Sequence, residues 1–311
     1  MAIEHAAVQV VRKPWGVADL HPWSRCDGSG DAIGELWFQR ADKRAPIPAL
    51  LLKLLFTSEP LSIQVHPDDA FAHSIGLTNG KTEAWYILSA APDARIAVGL
   101  KRHLTPQELR ASIKDGSIAN LTQWRPVVKG DIIFIPAGTI HAIGAGIVLA
   151  EIQQRSDATF RLFDYGRRRE LHEDSAVAVS DAGPVQVQSG PQHLTAARTV
   201  LIASPHFVLE RIDLAADSNW ALQADQETWI IVIEGHARIG LIEASVGDAV
   251  FAEAERAAIK AGPDGIACLI AYPGPHPVSS LLQDFGEQMT ESSGMPSVRS
   301  PKPKEIVGAR T

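Results

Sequence analysis

The stretch "LSIQVHPDDA", residues 61–70, sets a glutamine and a histidine two positions apart in an apolar, β-branched run that stops at His-Pro-Asp-Asp. Along a strand, residues i and i+2 point the same way. Gln64 and His66 therefore share one face, and Ile63 and Val65 the other. Two polar side chains turned toward a core need something to satisfy them. A metal ion is one candidate, and the rest of the chain must then supply more ligands. In "GKTEAWYIL", Lys81 and Glu83 alternate with Thr82 and Ala84, so both can lie on one strand face. In "GDIIFIPAGTIHAIGAG", an apolar strand turns at Pro136-Ala137-Gly138 and delivers His141 at the start of the next run. Gln64, His66, Glu83 and His141 together offer two imidazoles, a carboxylate and an amide oxygen. That set suits Zn2+, and Fe2+, Mn2+ or Co2+ nearly as well. A lone core histidine is more often hydrogen-bonded structure than a ligand. A buried glutamate is rarer, because an unpaired buried carboxylate is costly, and the combined pattern predicts a metal.

A second polar stretch follows in "VLAEIQQRSDATFRLFDYGRRR". Glu151, Gln153 and Arg155 alternate on one face, and Arg161 and Arg167 follow across a turn at Ser156-Asp157. Arg161 sits among Phe160, Leu162 and Phe163, where a guanidinium implies a carboxylate partner or an anionic ligand. Arg168 and Arg169 read as a solvated surface cluster. The glycines of "GTIHAIGAG" do not form a dinucleotide fingerprint, because a strand, "IVLAEI", follows them instead of a helix.

The elements that must position these residues are mostly strands. Short β-branched runs punctuated by Gly, Pro and Asp predict an all-β antiparallel sandwich or barrel. One helix stands out in "LTPQELRASIKDG": Thr105 caps it, Pro106 opens it, Glu108 completes a capping box and Gly116 ends it. The chain also repeats itself. Residues 83–143 can be laid beside residues 227–262, each running Glu-x-Trp, strand, turn, strand, Gly-Asp and strand. The second copy keeps Gly235, Gly247 and Asp248 but has no histidine where the first has His141. That pattern predicts two barrels, one with a site and one without. The expected division is a metal-binding unit over 1–170, a connection over 171–196, a degenerate second unit over 197–285 and an extended tail over 286–311.

The 311 residues carry 29 basic and 36 acidic side chains, a net charge of −7. Basic clusters are few and short, so no nucleic-acid surface is expected. No signal-peptide pattern opens the sequence and no apolar run approaches the ~20 residues that span a bilayer, so no membrane partner is expected. The two cysteines, Cys26 and Cys268, are far apart in sequence and read as free thiols of a cytoplasmic protein.

"PLSIQVHPDDAFA", "GKTEAWYIL", "KGDIIFIPAGTIHAIG" and "EIQQRSDATFRLFDYGR", in this order and spacing, resemble the type I mannose-6-phosphate isomerases of the cupin superfamily. "KPWG" at 13–16, "IGELWF" at 33–38 and "LLKLL" at 51–55 are also similar to that family. The resemblance is strong over roughly residues 10–170. It implies two cupin-type jelly-roll barrels, the first with a short helical insertion, as in the short bacterial form. It implies one zinc ion on Gln64, His66, Glu83 and His141. Arg161 would be catalytic, and Glu151 and Lys81 would line the same pocket as candidates for moving a proton. Lys53, Ser62 and Arg167 would contact the phosphate of a phosphosugar substrate. The activity implied is the interconversion of mannose 6-phosphate and fructose 6-phosphate. A cupin oxygenase and a sugar-binding regulatory protein remain alternatives, and a homo-oligomer is left open.

Overall fold

The computed structural model describes residues 2–26, 32–185 and 190–285. The expected tail beyond 285 lies outside the described residues. The first half holds two antiparallel sheets. One is formed by β2 (Ala7–Val17), β3 (Ile33–Gln39), β4 (Leu50–Thr57), β11 (Ile147–Gln154), β6 (Glu83–Ala90) and β9 (Ile132–Ile135), in that spatial order. The facing sheet runs β12 (Phe160–Phe163), β5 (Ile63–Val65), β10 (His141–Ile143), β7 (Arg95–Leu100) and β8 (Thr122–Pro126). The second half folds into one ten-stranded sheet. Its first member is β1 (Ala2–His5), which pairs with residues 249–253, so the N-terminal strand sits in the sheet of the other half.

The central strands β4, β6 and β11 of the six-stranded sheet are buried on both faces, which explains why β4 reads "LLLKLLFT" without alternation and is buried at every position. Leu52, Leu54, Phe56, Ala84, Tyr86, Ala150 and Ile152 pack outward against Leu209, Trp229, Ile231, Leu269 and Ala271 of the second half. The opposite side chains, among them Leu55, Trp85, Ile87, Ile133 and Leu149, face the interior of the first barrel. Lys53, Glu83 and Glu151 occupy that same inner face, where every second residue of β4, β6 and β11 points inward.

The helices cover the outside of the five-stranded sheet. α1 (Asp69–Ser74) starts at Asp68, whose carboxylate accepts the Phe71 N–H. α2 (Pro106–Asp115) carries the expected capping box between Thr105 and Glu108 and ends at Gly116, whose φ of 78° is left-handed. α3 (Ile118–Leu121) follows at once, and α4 (Glu173–Val179) packs on α2 and β12 within the stretch read as a connection. No helix among the described residues is long and apolar enough to cross a membrane. Both cysteines are free.

Glu227 occupies, in the second copy, the place that Glu83 occupies in the first. Its carboxylate accepts the backbone N–H of Ala49 at 2.5 Å and of Leu50 at 2.8 Å, and the Trp229 indole N–H at 3.0 Å. It ties the second half to the start of β4. Glu227→Ala strands two backbone donors and should lower the free energy of unfolding in urea by roughly 2–4 kcal/mol. Metal uptake by the first half should stay at the wild-type level. Unchanged stability would show that this carboxylate does not hold the halves together.

Candidate metal centre and substrate cavity

The ligand atoms expected from sequence converge on the barrel interior. His66, Glu83 and His141 each bring one ligand atom into a group lying within 4.8 Å of one another, and all three are buried. His66 follows β5, His141 opens β10, and the two strands are antiparallel neighbours with His141 opposite Gln64. The turn before His141 works through Gly138, whose φ of 86° favours glycine and whose N–H donates to the His66 carbonyl at 2.8 Å. Gly80 sets the other approach. A side chain there would strike the backbone of Asp68, and the close packing lets Lys81 N–H donate to the Pro67 carbonyl at 2.9 Å.

Each imidazole is fixed by a main-chain carbonyl. His66 Nδ1 donates to Ala158 O at 2.7 Å and His141 Nδ1 to Thr139 O at 2.8 Å. Both Nε2 atoms are left as lone pairs, 3.5 and 3.4 Å from the two Glu83 oxygens. Burial pushes His66 well below its ordinary pKa, and burial lowers His141 to about 4 against the opposing pull of the Thr139 carbonyl. Both rings are therefore neutral, the form that ligates. Glu83 has no solvent exposure, and neither of its oxygens accepts a hydrogen bond. Lys81 Nζ lies 2.5 Å from one of them, close enough for an ion pair but outside hydrogen-bonding geometry, and 3.0 Å from His66 Nε2. A buried carboxylate without hydrogen bonds, faced by two neutral Nε2 atoms, fits a divalent cation.

Gln64 stands at the edge of this cluster. Its amide nitrogen lies 3.3 Å from His141 Nε2, and its oxygen accepts from Ser62 at 3.1 Å. Half a turn of the amide would exchange oxygen for nitrogen and place a carbonyl oxygen beside the imidazole, as a cation would require.

Above the cluster lies a cavity of about 220 Å³. Gln64, Lys81, Glu151, Arg161, Lys53 and Ser62 all line it, which brings together every expected substrate-facing residue but one. Arg167 faces elsewhere. Its guanidinium donates to Asp164, to Glu59 and to the Pro60 carbonyl at 2.6 Å. Arg169, read from sequence as solvated, lines the cavity instead and is held by both oxygens of the buried Asp164 at 2.7 and 2.6 Å. The apolar setting expected around Arg161 holds in part, because its Nε is buried without a partner. No carboxylate among the described residues lies within ion-pair distance of its guanidinium. Lys13, Glu35, Asp157, Thr159 and His172 complete the wall. Lys13 and Glu35 lie in stretches quoted above, but their types alone gave no role, and His172 lay in the presumed connection.

A row of alternating charges crosses the inner face of the six-stranded sheet. Lys13 Nζ is 3.2 Å from Glu35, Lys53 Nζ is 3.9 Å from Glu35 and 3.3 Å from Glu151, and Lys81 meets Glu83. Lys53 also lies 4.5 Å from the Trp37 ring centroid. Burial would raise the Glu151 carboxyl, but the Lys81 and Lys53 ammonium groups outweigh it and hold it down to about 2. Burial likewise raises Glu83, here to about 8 although Lys81 opposes the shift. A larger hollow of about 1020 Å³, lined by Phe134, Thr139, Asp181 and Leu201 among others, holds none of the ligand cluster.

No family model matches the chain. It is similar to mannose-6-phosphate isomerase of Streptococcus mutans serotype c, 34% identical over 223 residues that span 68% of this chain and 70% of the relative. It is 36% identical to mannose-6-phosphate isomerase ManA of Bacillus subtilis strain 168 over 233 residues, with the same shares of each chain. Among solved structures it resembles the mannose 6-phosphate isomerase from Bacillus subtilis with a TM-score of 0.77 at 24% identity, covering 88% of this chain and 100% of that one. A mannose 6-phosphate isomerase bound with zinc and yttrium aligns with a TM-score of 0.68 at 15% identity, covering 88% and 100%. The likenesses to solved structures show the fold.

Two outcomes are expected at the ligand cluster. His66→Ala or His141→Ala should weaken divalent metal binding at least about tenfold to a hundredfold, read by metal analysis after dialysis. Stoichiometric metal in both variants would sink the assignment. Protons compete for Glu83 below about pH 8, whereas the imidazoles are already neutral. Metal affinity should therefore fall as pH drops from 8 to 6, by up to about tenfold per unit for one proton. A flat titration would place the competing proton elsewhere.

Proposed function

The chain belongs to the mannose-6-phosphate isomerase family, and we infer from that premise that it interconverts mannose 6-phosphate and fructose 6-phosphate in the cavity above His66, Glu83 and His141. The observation that carries this reading is the fully buried Glu83, paired with Lys81 and facing two fixed imidazoles, beneath a cavity lined by Lys53, Arg161 and Arg169. A zinc ion held by His66, Glu83 and His141, with Gln64 beside them, would polarise or order the oxygens of the sugar.

The reaction moves a proton between C1 and C2 through an enediolate, which calls for a base and for positive charge where the oxyanion develops. Arg161, with no carboxylate within ion-pair distance among the described residues, supplies that charge. Lys81 stays an ammonium: burial would lower its pKa, but Glu83 and Glu151 push it up further, so it donates rather than accepts. Glu151, held ionised by Lys81 and Lys53, lines the wall and takes the proton. It is a weak base while two lysines face it; an anionic phosphosugar drawing on the same cations raises its proton affinity. Lys53 and Ser62 face the cavity and receive the phosphate, with Arg169 beside them. The setting proposed is cytoplasmic.

Purified protein should form fructose 6-phosphate from mannose 6-phosphate and lose that activity to a chelator. No turnover in metal-replete protein would refute the reading. Arg161→Ala should lower kcat by on the order of 10²–10³ with metal still bound, the scale of one lost oxyanion donor. A raised KM with kcat spared would make Arg161 a binding residue only. Lys53→Ala should raise KM about tenfold or more, the worth of a charge-assisted contact. Arg167→Ala, already engaged by Glu59, Pro60 and Asp164, should change KM less than about twofold.

A further inference from the structure

Arg161 lies in β12, the edge strand of the five-stranded sheet, opposite Gln64 of β5. Its backbone N–H nevertheless donates to Nδ1 of His172 at 3.0 Å, and its carbonyl accepts the His172 N–H at 2.9 Å. Both main-chain groups thus point away from β5. Arg161 and Gln64 therefore form the narrow, non-hydrogen-bonded kind of pair, whose side chains stand closest together. His172 satisfies the strand edge as a further strand would. It precedes α4, yet its side chain makes no bond to that helix and turns back to β12, with its ring 6.0 Å from that of Phe160.

This contact fixes the tautomer. A main-chain N–H can only donate, so Nδ1 must carry a lone pair, and in the neutral ring the proton sits on Nε2. Burial, followed by the Arg161 charge, holds the imidazole below its ordinary pKa against the pull of Glu170. His172 lines the cavity together with Arg161, Arg169 and Asp157. Among the described residues, nothing hydrogen-bonds Nε2.

We propose that His172 is the positioning residue for Arg161 and presents its Nε2–H to an oxygen of the phosphosugar as a fixed, neutral donor. This rests on the isomerase reading of the cavity. It adds a residue that discriminates by a directed hydrogen bond rather than by charge.

The test uses full-length, metal-loaded protein and three variants. His172→Ala removes both the grip on Arg161 and the donor, and should lower kcat about tenfold or more through misplacement of Arg161. His172→Asn keeps an acceptor near the Nδ1 position and should recover most of that loss. Its KM should stay raised by about two- to tenfold, the scale of one neutral hydrogen bond. In an Arg161→Ala background, His172→Ala should lower kcat little further, because the group it positions is gone. Additive losses would mean that His172 does not act through Arg161. Independently of turnover, nitrogen NMR of the wild-type imidazole, assigned against His172→Gln, should show Nε2 protonated and Nδ1 bare at neutral pH. A proton on Nδ1 overturns the assignment even if every variant is poorly folded. Wild-type protein without isomerase activity would defeat the functional reading itself. Wild-type turnover with unaltered His172 variants would defeat only the role given to His172.

Discussion

A carboxylate with no exposure and no hydrogen bond is the constraint around which the first barrel is arranged. Glu83 cannot be ionised there without compensating positive charge. Lys81 at 2.5 Å meets part of that demand, and two imidazoles whose Nδ1 protons are spent on carbonyls turn only lone pairs toward the glutamate, which leaves the rest to a cation between them. The tight turns at Gly80 and Gly138 bring these groups from distant strands to one place. Beyond them, Lys13, Glu35, Lys53 and Glu151 alternate across four adjacent strands, each beside an opposite charge. Arg161 stands apart from this pairing, with positive charge left over for a ligand.

The same sheet also joins the two halves. Along β4, β6 and β11 the inward positions carry the charges, and the outward positions carry leucine, isoleucine, alanine and tyrosine packed on the second half. A charged interior row is tolerable because the opposite face is anchored in an apolar core. Glu227 reinforces the junction by holding the backbone where β4 begins.

Much of this was legible in the sequence because it depends on local periodicity. Two-residue alternation placed Gln64 with His66 and Lys81 with Glu83, and the Thr105–Glu108 box marked its helix without reference to anything distant. The family resemblance added Lys53, Glu151 and Arg161 as expected pocket residues, and all three line the cavity. Contacts between segments remote in the chain were not legible. Nothing local distinguishes Arg167 from Arg169, since Asp164 pairs with both; Glu59 and the Pro60 carbonyl hold Arg167 alone, and only folding brings those groups to it. His172 looked like part of a polar connection, since its partner is the edge of a strand eleven residues away. The pairing of β1 with residues 249–253 joins opposite ends of the chain, which no short window can reveal.

Glu83 and Glu227 align in the Glu-x-Trp repeat read from the sequence, separated by 144 residues. One faces two imidazoles and the other clasps backbone amides. After a duplication, the spare copy is free to lose its chemistry, but not its surface once the two copies have come to share a core. Here the second barrel covers Leu52, Leu54 and Tyr86 of the first, so deleting it would open the working barrel to water. The second half has no histidine at the place of His141, yet its apolar face still covers the first barrel. A half without that ligand thus serves as a permanent chaperone to its twin.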